Sequence, residues 1–220
     1  NYQLHGCDIP IYTNAIYPFP MDTAGPPVVP KERNSVGSYR TNFTVPADWA
    51  GRRVFAHFDG VDSAFYLWVN GARVGYNEDS RTDAEFNITK YVRPGRNLIA
   101  VEVYRYSDGA YLEDQDMFRL SGIYRDVYLW STAAQHIRDF EVVADLDAAY
   151  RDATLRVRAE VVSLQGPLPA AEVTLELFDA AGKPVVPPQT QPAGAGVAFA
   201  VAVPNPAKWT AETPSLYQLL

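Results

Sequence analysis

Between Val36 and Leu129 the chain is built of short runs in which apolar and polar side chains alternate, and none of them sustains a helical repeat. A period of two places successive side chains on opposite faces of an extended strand, so this stretch is predicted to fold as stacked sheets. GSYRTNFTV, RRVFAHFDGV, SAFYLWVNGARVGY and NLIAVEVYRY follow one another, with turns at Pro46–Gly51 and Pro94–Gly95, and AEFNITKYVRPGRN reads as a short approach to the second turn. SAFYLWVNGARVGY reads as a hairpin, because Asn70-Gly71 suits a type I′ turn whose two central residues need positive φ. On its first strand Phe65, Leu67 and Val69 share one face and Tyr66 and Trp68 the other, which predicts burial on both sides. Prolines at 10, 18, 20, 26, 27 and 30 make the first 36 or so residues extended and irregular, lying over a sheet edge, since proline lacks an N–H and fixes φ.

Near Ser131–Ala134 the pattern resets. HIRDFEVVADLD, TLRVRAEVVSL, AEVTLELFDAAGKPV and GVAFAVAVPNP are strands at regular intervals, separated by Gly, Pro and Asp turns. PPQTQPAGAG, from Pro187 to Gly196, reads as a flexible surface loop without chemistry. The expected architecture is all-β: a jelly-roll sandwich over residues 1–132, followed by an immunoglobulin-like β-sandwich over residues 133–220.

With 47% hydrophobic residues in 220, the chain can bury two small cores. A net charge of -7 with no cluster of Lys and Arg argues against a nucleic-acid partner. No apolar run approaches the ~20 residues that span a bilayer, so no membrane role is expected. The single Cys7 excludes an internal disulfide and reads as structural. The chain starts at NYQLHG without Met, so it reads as cut from a longer polypeptide, and no signal peptide can be read from it. Two glycosylation triplets, at Asn42 and Asn87, fall on predicted strands and carry little weight.

The segment from Tyr106 to Leu129 is too polar for core. Glu113, Asp114, Asp116 and Asp126 crowd together with Arg119 and Arg125 between two predicted strands, which places them in a loop or crossover at the rim of a sheet. A catalytic pair of carboxyl groups has to face its substrate from two sides. Glu113, Asp114 and Asp116 lie in one short loop and cannot do so, so they are not expected to be a catalytic pair.

The run SDGAYLEDQDMFRLSGIYRDVYL, Ser107 to Leu129, resembles the signature of the N-terminal sugar-binding domain of glycoside hydrolase family 2, in the branch of large bacterial β-galactosidases. YQLHGCDIPIYTNAIYP from Tyr2, FDGVDSAFYLWVNGARVGYNEDSR from Phe58 and the final NPAKWTAETPSLYQLL resemble the same proteins in the same order. The likeness implies a jelly roll and an immunoglobulin-like domain, with catalysis on a TIM barrel that follows them. The catalytic glutamates would lie in that barrel, so this chain alone is expected to be inactive and to hold no catalytic residue. The implied reaction is retaining hydrolysis of terminal β-D-galactose residues from a β-galactoside such as lactose. By the same resemblance, Asp116 matches an aspartate that binds sodium and touches the galactosyl hydroxyls. Asn14 matches an asparagine whose amide reaches the substrate. Magnesium is expected in the full-length enzyme, mostly through the barrel. Asp108 resembles a carboxylate that some relatives use for a peripheral magnesium, although Glu78 stands where a neutral glutamine is expected. The resemblance further implies a homo-oligomer, often a tetramer, whereas the compartment, bacterial cytoplasm or periplasm, is not readable from the sequence.

The remaining polar candidates have plain readings. Arg119 and Arg125 are expected to neutralise the loop carboxylates. His5, His57 and His136 show no pair at metal-ligand spacing. Trp68 and Trp130 read as core, Trp49 as cover for a strand edge and Trp209 as packing near the end of the second sandwich. A different class of function also fits, a stand-alone carbohydrate-binding module, because a jelly roll by itself does not separate the two. Mannose or glucuronic acid are the other sugars of the family, and DQDMFRLSGIYRDV favours galactose by resemblance.

Overall fold

The alternating runs become strands because each has one face that must leave water and a backbone that must find partners. The computed structural model describes residues 2–13, 19, 28–113, 115–164 and 166–220. The chain forms two compact units, Asn1–Thr132 and Ala133–Leu220. The first carries β1 (Ile11–Thr13), β2 (Val36–Val45), β3 (Arg53–Phe58), β4 (Val61–Asp62), β5 (Ala64–Val69), β6 (Ala72–Glu78), β7 (Ala84–Asn87), β8 (Gly95–Tyr104), the single-turn helix α1 (Gly109–Leu112), β9 (Met117–Arg119), β10 (Gly122–Ile123) and β11 (Val127–Thr132).

Two antiparallel sheets, in the orders β2-β8-β5-β6 and β11-β3-β7, make a sandwich of the jelly-roll type. Their inward faces meet in one core: Val54, Ala56 and Phe58 of β3, Phe65, Leu67 and Val69 of β5, and Ile99, Val101 and Val103 of β8. Full burial of a Phe or Leu side chain contributes roughly 1.5–3 kcal/mol, so a handful of these residues rivals the net stability of a domain.

The outer faces differ from expectation. Tyr66 and Trp68 are half-buried, not core. Tyr66 packs on Tyr76 with centroids 4.6 Å apart, and the Arg73 guanidinium lies 4.3 Å over its ring. Trp130 is half-buried too, stacked at 4.8 Å on Phe55, with its indole N–H donating to Glu85 at 3.1 Å. Aromatic rings with a polar edge tolerate such a solvated face, so alternation alone overstated their burial. Trp49 packs, partly buried, against the core. In the proline-rich arm, expected to be irregular throughout, Tyr2–His5 forms a 3-10 turn and β1 pairs with β9.

The β5–β6 hairpin turns on Asn70 (φ 52°) and Gly71 (φ 83°), both positive as the Asn-Gly pair requires. Asn97, almost fully buried, ties this turn to the entrance of β8. Its amide donates to the carbonyls of Arg93 (2.8 Å) and Gly95 (2.9 Å) and accepts from the Arg93 N–H (2.9 Å) and from Asn70 (2.8 Å).

The second unit carries β12 (Gln135–Leu146), β13 (Ala153–Ser163), β14 (Glu172–Leu175), β15 (Leu177–Phe178), β16 (Gln189–Pro192), β17 (Val197–Val203) and β18 (Gln218–Leu219). β12-β13-β17 form one sheet, and β14-β16 and β15-β18 form two antiparallel pairs. Alternate residues of β13 and β17 pack with Leu175 and Leu177 in the core, an immunoglobulin-like sandwich. Within PPQTQPAGAG, taken as a loop, Gln189–Pro192 is in fact β16. It pairs with β14 through polar side chains, Thr174 and Thr190 having hydroxyls 3.0 Å apart, so the apolar signal of a strand is missing. Trp209 is 61% exposed instead of packed, standing over a cleft beside Leu155 and Tyr217.

Replacing Asn97 by Ala leaves buried backbone groups without partners and is expected to lower stability by about 2–4 kcal/mol with an unchanged denaturant slope. Urea unfolding followed by tryptophan fluorescence checks this, and a change below about 1 kcal/mol would contradict the role given to the amide.

Candidate functional site

The acidic segment leaves the sheet at the end of β8 and is pinned residue by residue. Arg105, buried, pairs with Asp8 at 2.5 Å and donates to the Ile9 carbonyl at 2.9 Å, which fastens the N-terminal arm just ahead of β1. Burial works to raise the Asp8 carboxyl, but hydrogen bonds from Ser35 and the Ile9 N–H, together with Arg105, bring it below the usual range. Tyr106 exchanges two backbone-to-amide bonds with Asn34, each 2.9 Å, and the Ser107 hydroxyl meets that of Ser63 at 2.8 Å.

After α1, Glu113 turns inward. It accepts from the N–H of Ser80 at 2.8 Å and from its hydroxyl at 2.5 Å, and Ser80 is fully buried. The Tyr124 hydroxyl donates to the Ser80 carbonyl, which closes the other side of the clamp. β9 then lies antiparallel to β1, with Ile11 opposite Arg119, Tyr12 opposite Phe118 and Thr13 opposite Met117. Gly122 follows at φ +100°, where a Cβ would come within 2.5 Å of the Tyr39 hydroxyl.

Asp116, immediately before β9, is exposed. Its carboxylate accepts a hydrogen bond from the Tyr12 hydroxyl, which pushes the Tyr12 phenol up. The Tyr12 and Phe118 rings sit 5.9 Å apart beside it, both largely exposed. Asn14 and Asp114 lie outside the described residues. Thr13, which precedes Asn14 in the chain, is paired with Met117, which follows Asp116.

Beneath the loop lies a second carboxylate that sequence reading passed over. Asp62, mostly buried, is raised to about 6 by that burial, against which Arg81 at 3.7 Å and Arg119 act. Arg119 is in turn pulled down by burial and held up by Asp62, Tyr106 and Glu113. Arg125, expected to neutralise the loop carboxylates, instead donates to the backbone carbonyls of Asp59 and Arg81, each at 3.2 Å, and stacks 5.1 Å over Tyr124. A guanidinium has five donors, and here they satisfy carbonyls at the loop base.

Glu78 and Asp108 share a cleft of about 580 Å³ with Tyr66, Tyr76, Tyr104 and Tyr106. Burial pushes Glu78 up, and Asp108 beside it pushes the same way, while the Tyr76 hydroxyl donates to it. Among the described residues no three His, Cys, Asp or Glu side chains converge as a metal-binding group. His57 is less plain than its strand position suggested: its Nε2 lies 3.2 Å from Asp59 and 3.5 Å from Asp83, its Nδ1 lies 3.7 Å from Glu85, and its ring stacks on Tyr128 at 4.8 Å. His57 and Asp59 come from the end of β3 and Asp83 and Glu85 from the start of β7, so only the pairing of these two strands brings the four together. Tyr12 and Ser80 escaped for the opposite reason, since each sits inside a resemblance motif without a charge to mark it.

Two all-β sandwiches in tandem, with a pinned acidic loop at the rim of the first, define the class. The family model described as the sugar binding domain of glycosyl hydrolases family 2 matches residues 1–133, and a second model, glycosyl hydrolases family 2, matches residues 135–220. The chain belongs to glycoside hydrolase family 2. It is 45% identical over 228 residues to a β-galactosidase of Priestia megaterium, covering all of this chain and 22% of the relative. It is 44% identical over 231 residues to one of Psychromonas ingrahamii, again covering all of the chain and 22% of that protein. Among solved structures, β-glucuronidase 2 of Bacteroides uniformis superposes with a TM-score of 0.72 at 26% identity, over 84% of this chain and 24% of its own. A family 2 member from Bacteroides cellulosilyticus gives 0.69 at 27% identity, over 84% and 26%. The chain thus spans about a fifth of the length of the curated relatives it matches, 22% in both.

The raised Asp62 carboxyl makes a pH prediction. A group whose folded pKa, about 6, exceeds its ordinary 3.8 stabilises the fold fully below the lower value and loses that contribution as pH rises through the higher one. Between pH 4 and 8 the wild-type chain is therefore expected to lose up to about 3 kcal/mol that Asp62→Asn does not lose. Urea midpoints across that range check this, and parallel profiles for the two proteins would contradict it.

Proposed function

We propose that this chain is the sugar-binding portion of a β-galactosidase, contributing one wall of a pocket in which terminal β-D-galactose is released from a β-galactoside such as lactose. The observation that carries the reading is Asp116: an exposed carboxylate at the sheet rim, bonded to Tyr12, in a loop where the nearby Glu113 is turned inward on Ser80. The names of the relatives support galactose as the sugar. Asp116 accepts hydrogen bonds from the galactosyl hydroxyls and offers hard oxygen to a sodium ion whose other ligands come from elsewhere. Asn14 follows Thr13 in the chain and adds an amide able both to donate and to accept. The retaining step itself requires two opposed carboxyl groups, which we assign to polypeptide outside these residues. Magnesium belongs mainly there as well. Within this chain Asp108 and Glu78 would offer it hard oxygen, a cation offsetting the burial and the neighbouring Asp108 charge that raise Glu78. We assign the working enzyme to a homo-oligomer on the same likeness.

In a β-galactosidase polypeptide containing these residues, Asp116→Asn is expected to raise KM for a nitrophenyl galactoside at least about ten-fold and to abolish activation by sodium, the scale of a lost charged hydrogen bond. Unchanged kinetics with an unchanged sodium response would remove Asp116 from the pocket.

A second reading, a self-sufficient carbohydrate-binding module, is favoured by the tyrosine-lined cleft at Glu78 and Asp108. Calorimetric titration of the 220-residue chain with galactose and lactose separates the two readings. Half a pocket is expected to show no binding below about 10 mM, whereas a module binds with Kd well under 1 mM.

A further inference from the structure

The base of the rim loop holds a charge that stability alone does not favour. Asp62 ends β4, its backbone opposite Gly122 of β10, and its mostly buried side chain lies beneath the loop. Two guanidiniums act on it from different parts of the chain: Arg81, in the turn after β6, at 3.7 Å, and Arg119, at the end of β9. The buried Ser121 donates to it, and the Glu113 charge opposes it. Arg105 and Tyr106 complete the walls of a cavity of about 10 Å³ that Asp62, Glu113, Arg119 and Ser121 also line, space for a single water.

Both guanidiniums belong to β9 as much as to Asp62. Arg119 is the last residue of that strand, and Arg81 donates at 2.7 Å to the thioether sulfur of Met117, the first. A thioether is a weak acceptor, so the carboxylate does more than the sulfur to place the Arg81 head. Asp116 directly precedes Met117, and Tyr12, which donates to Asp116, sits opposite Phe118 in the middle of the strand. A negative charge on Asp62 therefore draws on both ends of the three-residue strand that carries the rim carboxylate.

This charge works against the fold. Burial outweighs the arginines, so ionised Asp62 lowers stability at neutral pH, and an asparagine of the same shape still accepts from Ser121 without that burden. Perturbed charges kept against stability cluster at functional sites. We infer that Asp62 is a positioning residue for substrate binding: ionised, it draws on Arg81 and Arg119 and so fixes β9, with Asp116 and Tyr12, at the rim; protonated, it lets the strand loosen and the sugar bind more weakly. This role rests on Asp116 being a galactose ligand.

In a β-galactosidase polypeptide containing these residues, Asp62→Asn at about pH 7.5 is expected to raise KM for a nitrophenyl galactoside about five-fold, with kcat within about two-fold of the wild type. The 220-residue Asp62→Asn chain is expected to unfold at a urea concentration no lower than the wild type at that pH. A raised KM together with a lowered urea midpoint would make Asp62 merely structural. Below a pH of about 6 the two KM values converge, because the wild-type carboxyl is then neutral as well, and a constant ratio across pH contradicts the role. If Asp62 acts through Asp116, adding Asp62→Asn to Asp116→Asn leaves KM where the single Asp116→Asn put it, and a further rise contradicts that. An unchanged KM in Asp62→Asn beside a raised one in Asp116→Asn overturns the role of Asp62 and leaves that of Asp116 standing, whereas unchanged kinetics in Asp116→Asn overturns both. The tie to β9 is read separately by NMR in the 220-residue chain, which has two methionines, so that Met21→Leu assigns the Met117 methyl resonance. That resonance is expected to titrate between about pH 4 and 8 in the wild type and to stay flat in Asp62→Asn. Equal titration in both proteins, or none in the wild type, overturns the proposal.

Discussion

A carboxylate that accepts two hydrogen bonds from one buried serine organises everything around the rim of the first sandwich. Glu113 holds the N–H and the hydroxyl of Ser80, and Tyr124 holds the Ser80 carbonyl, so the loop after α1 is locked to the turn that follows β6. Hydrogen bonds to a charged acceptor contribute about twice what neutral ones do, and a buried partner makes them costly to break. At the other end β9 pairs with β1, and Asp116, just before β9, is exposed and accepts from the Tyr12 hydroxyl.

Asp62, Glu113 and Asp116 lie close in this region and do different things because their surroundings differ. Asp62 is buried and raised, a charge the fold tolerates through Arg81 and Arg119. Glu113 spends its lone pairs on Ser80 and serves as a structural tie. Asp116 remains exposed, its carboxylate accepting from the Tyr12 hydroxyl. The division shows how carboxylates close together in sequence can be held in different surroundings by partners far away in the chain. It also explains why the arm before β1 matters, since the Arg105–Asp8 pair at 2.5 Å holds that arm where Tyr12 can reach the loop.

Much of the fold was legible because the forces that make it are local or periodic. The alternation of Phe65, Leu67 and Val69 gave the core face of β5, and Asn70-Gly71 gave its turn. What was not legible depends on pairing at a distance. Gln189–Pro192 is a strand only because β14 lies beside it, and its polar side chains carry no period to reveal that. Trp68 and Trp130 were misplaced because an aromatic ring satisfies a half-buried face as readily as a buried one. At the site, charge made the acidic loop visible, and resemblance singled out Asp116 and Asn14 within it. The clamp on Ser80, the buried Asp62 and the Tyr12 hydroxyl come from partners far away in sequence, which no local pattern encodes.

The central claim is that the carboxylates of this loop hold and orient but do not by themselves cleave. The most direct measurement is a chromogenic β-galactoside assay on the purified 220-residue chain, its mass verified near 24.4 kDa, with and without sodium. The account predicts no turnover above the buffer blank in either condition. Turnover that survives repurification at that mass and disappears in Asp116→Asn and Glu113→Gln would contradict it, and would make the loop itself the seat of catalysis.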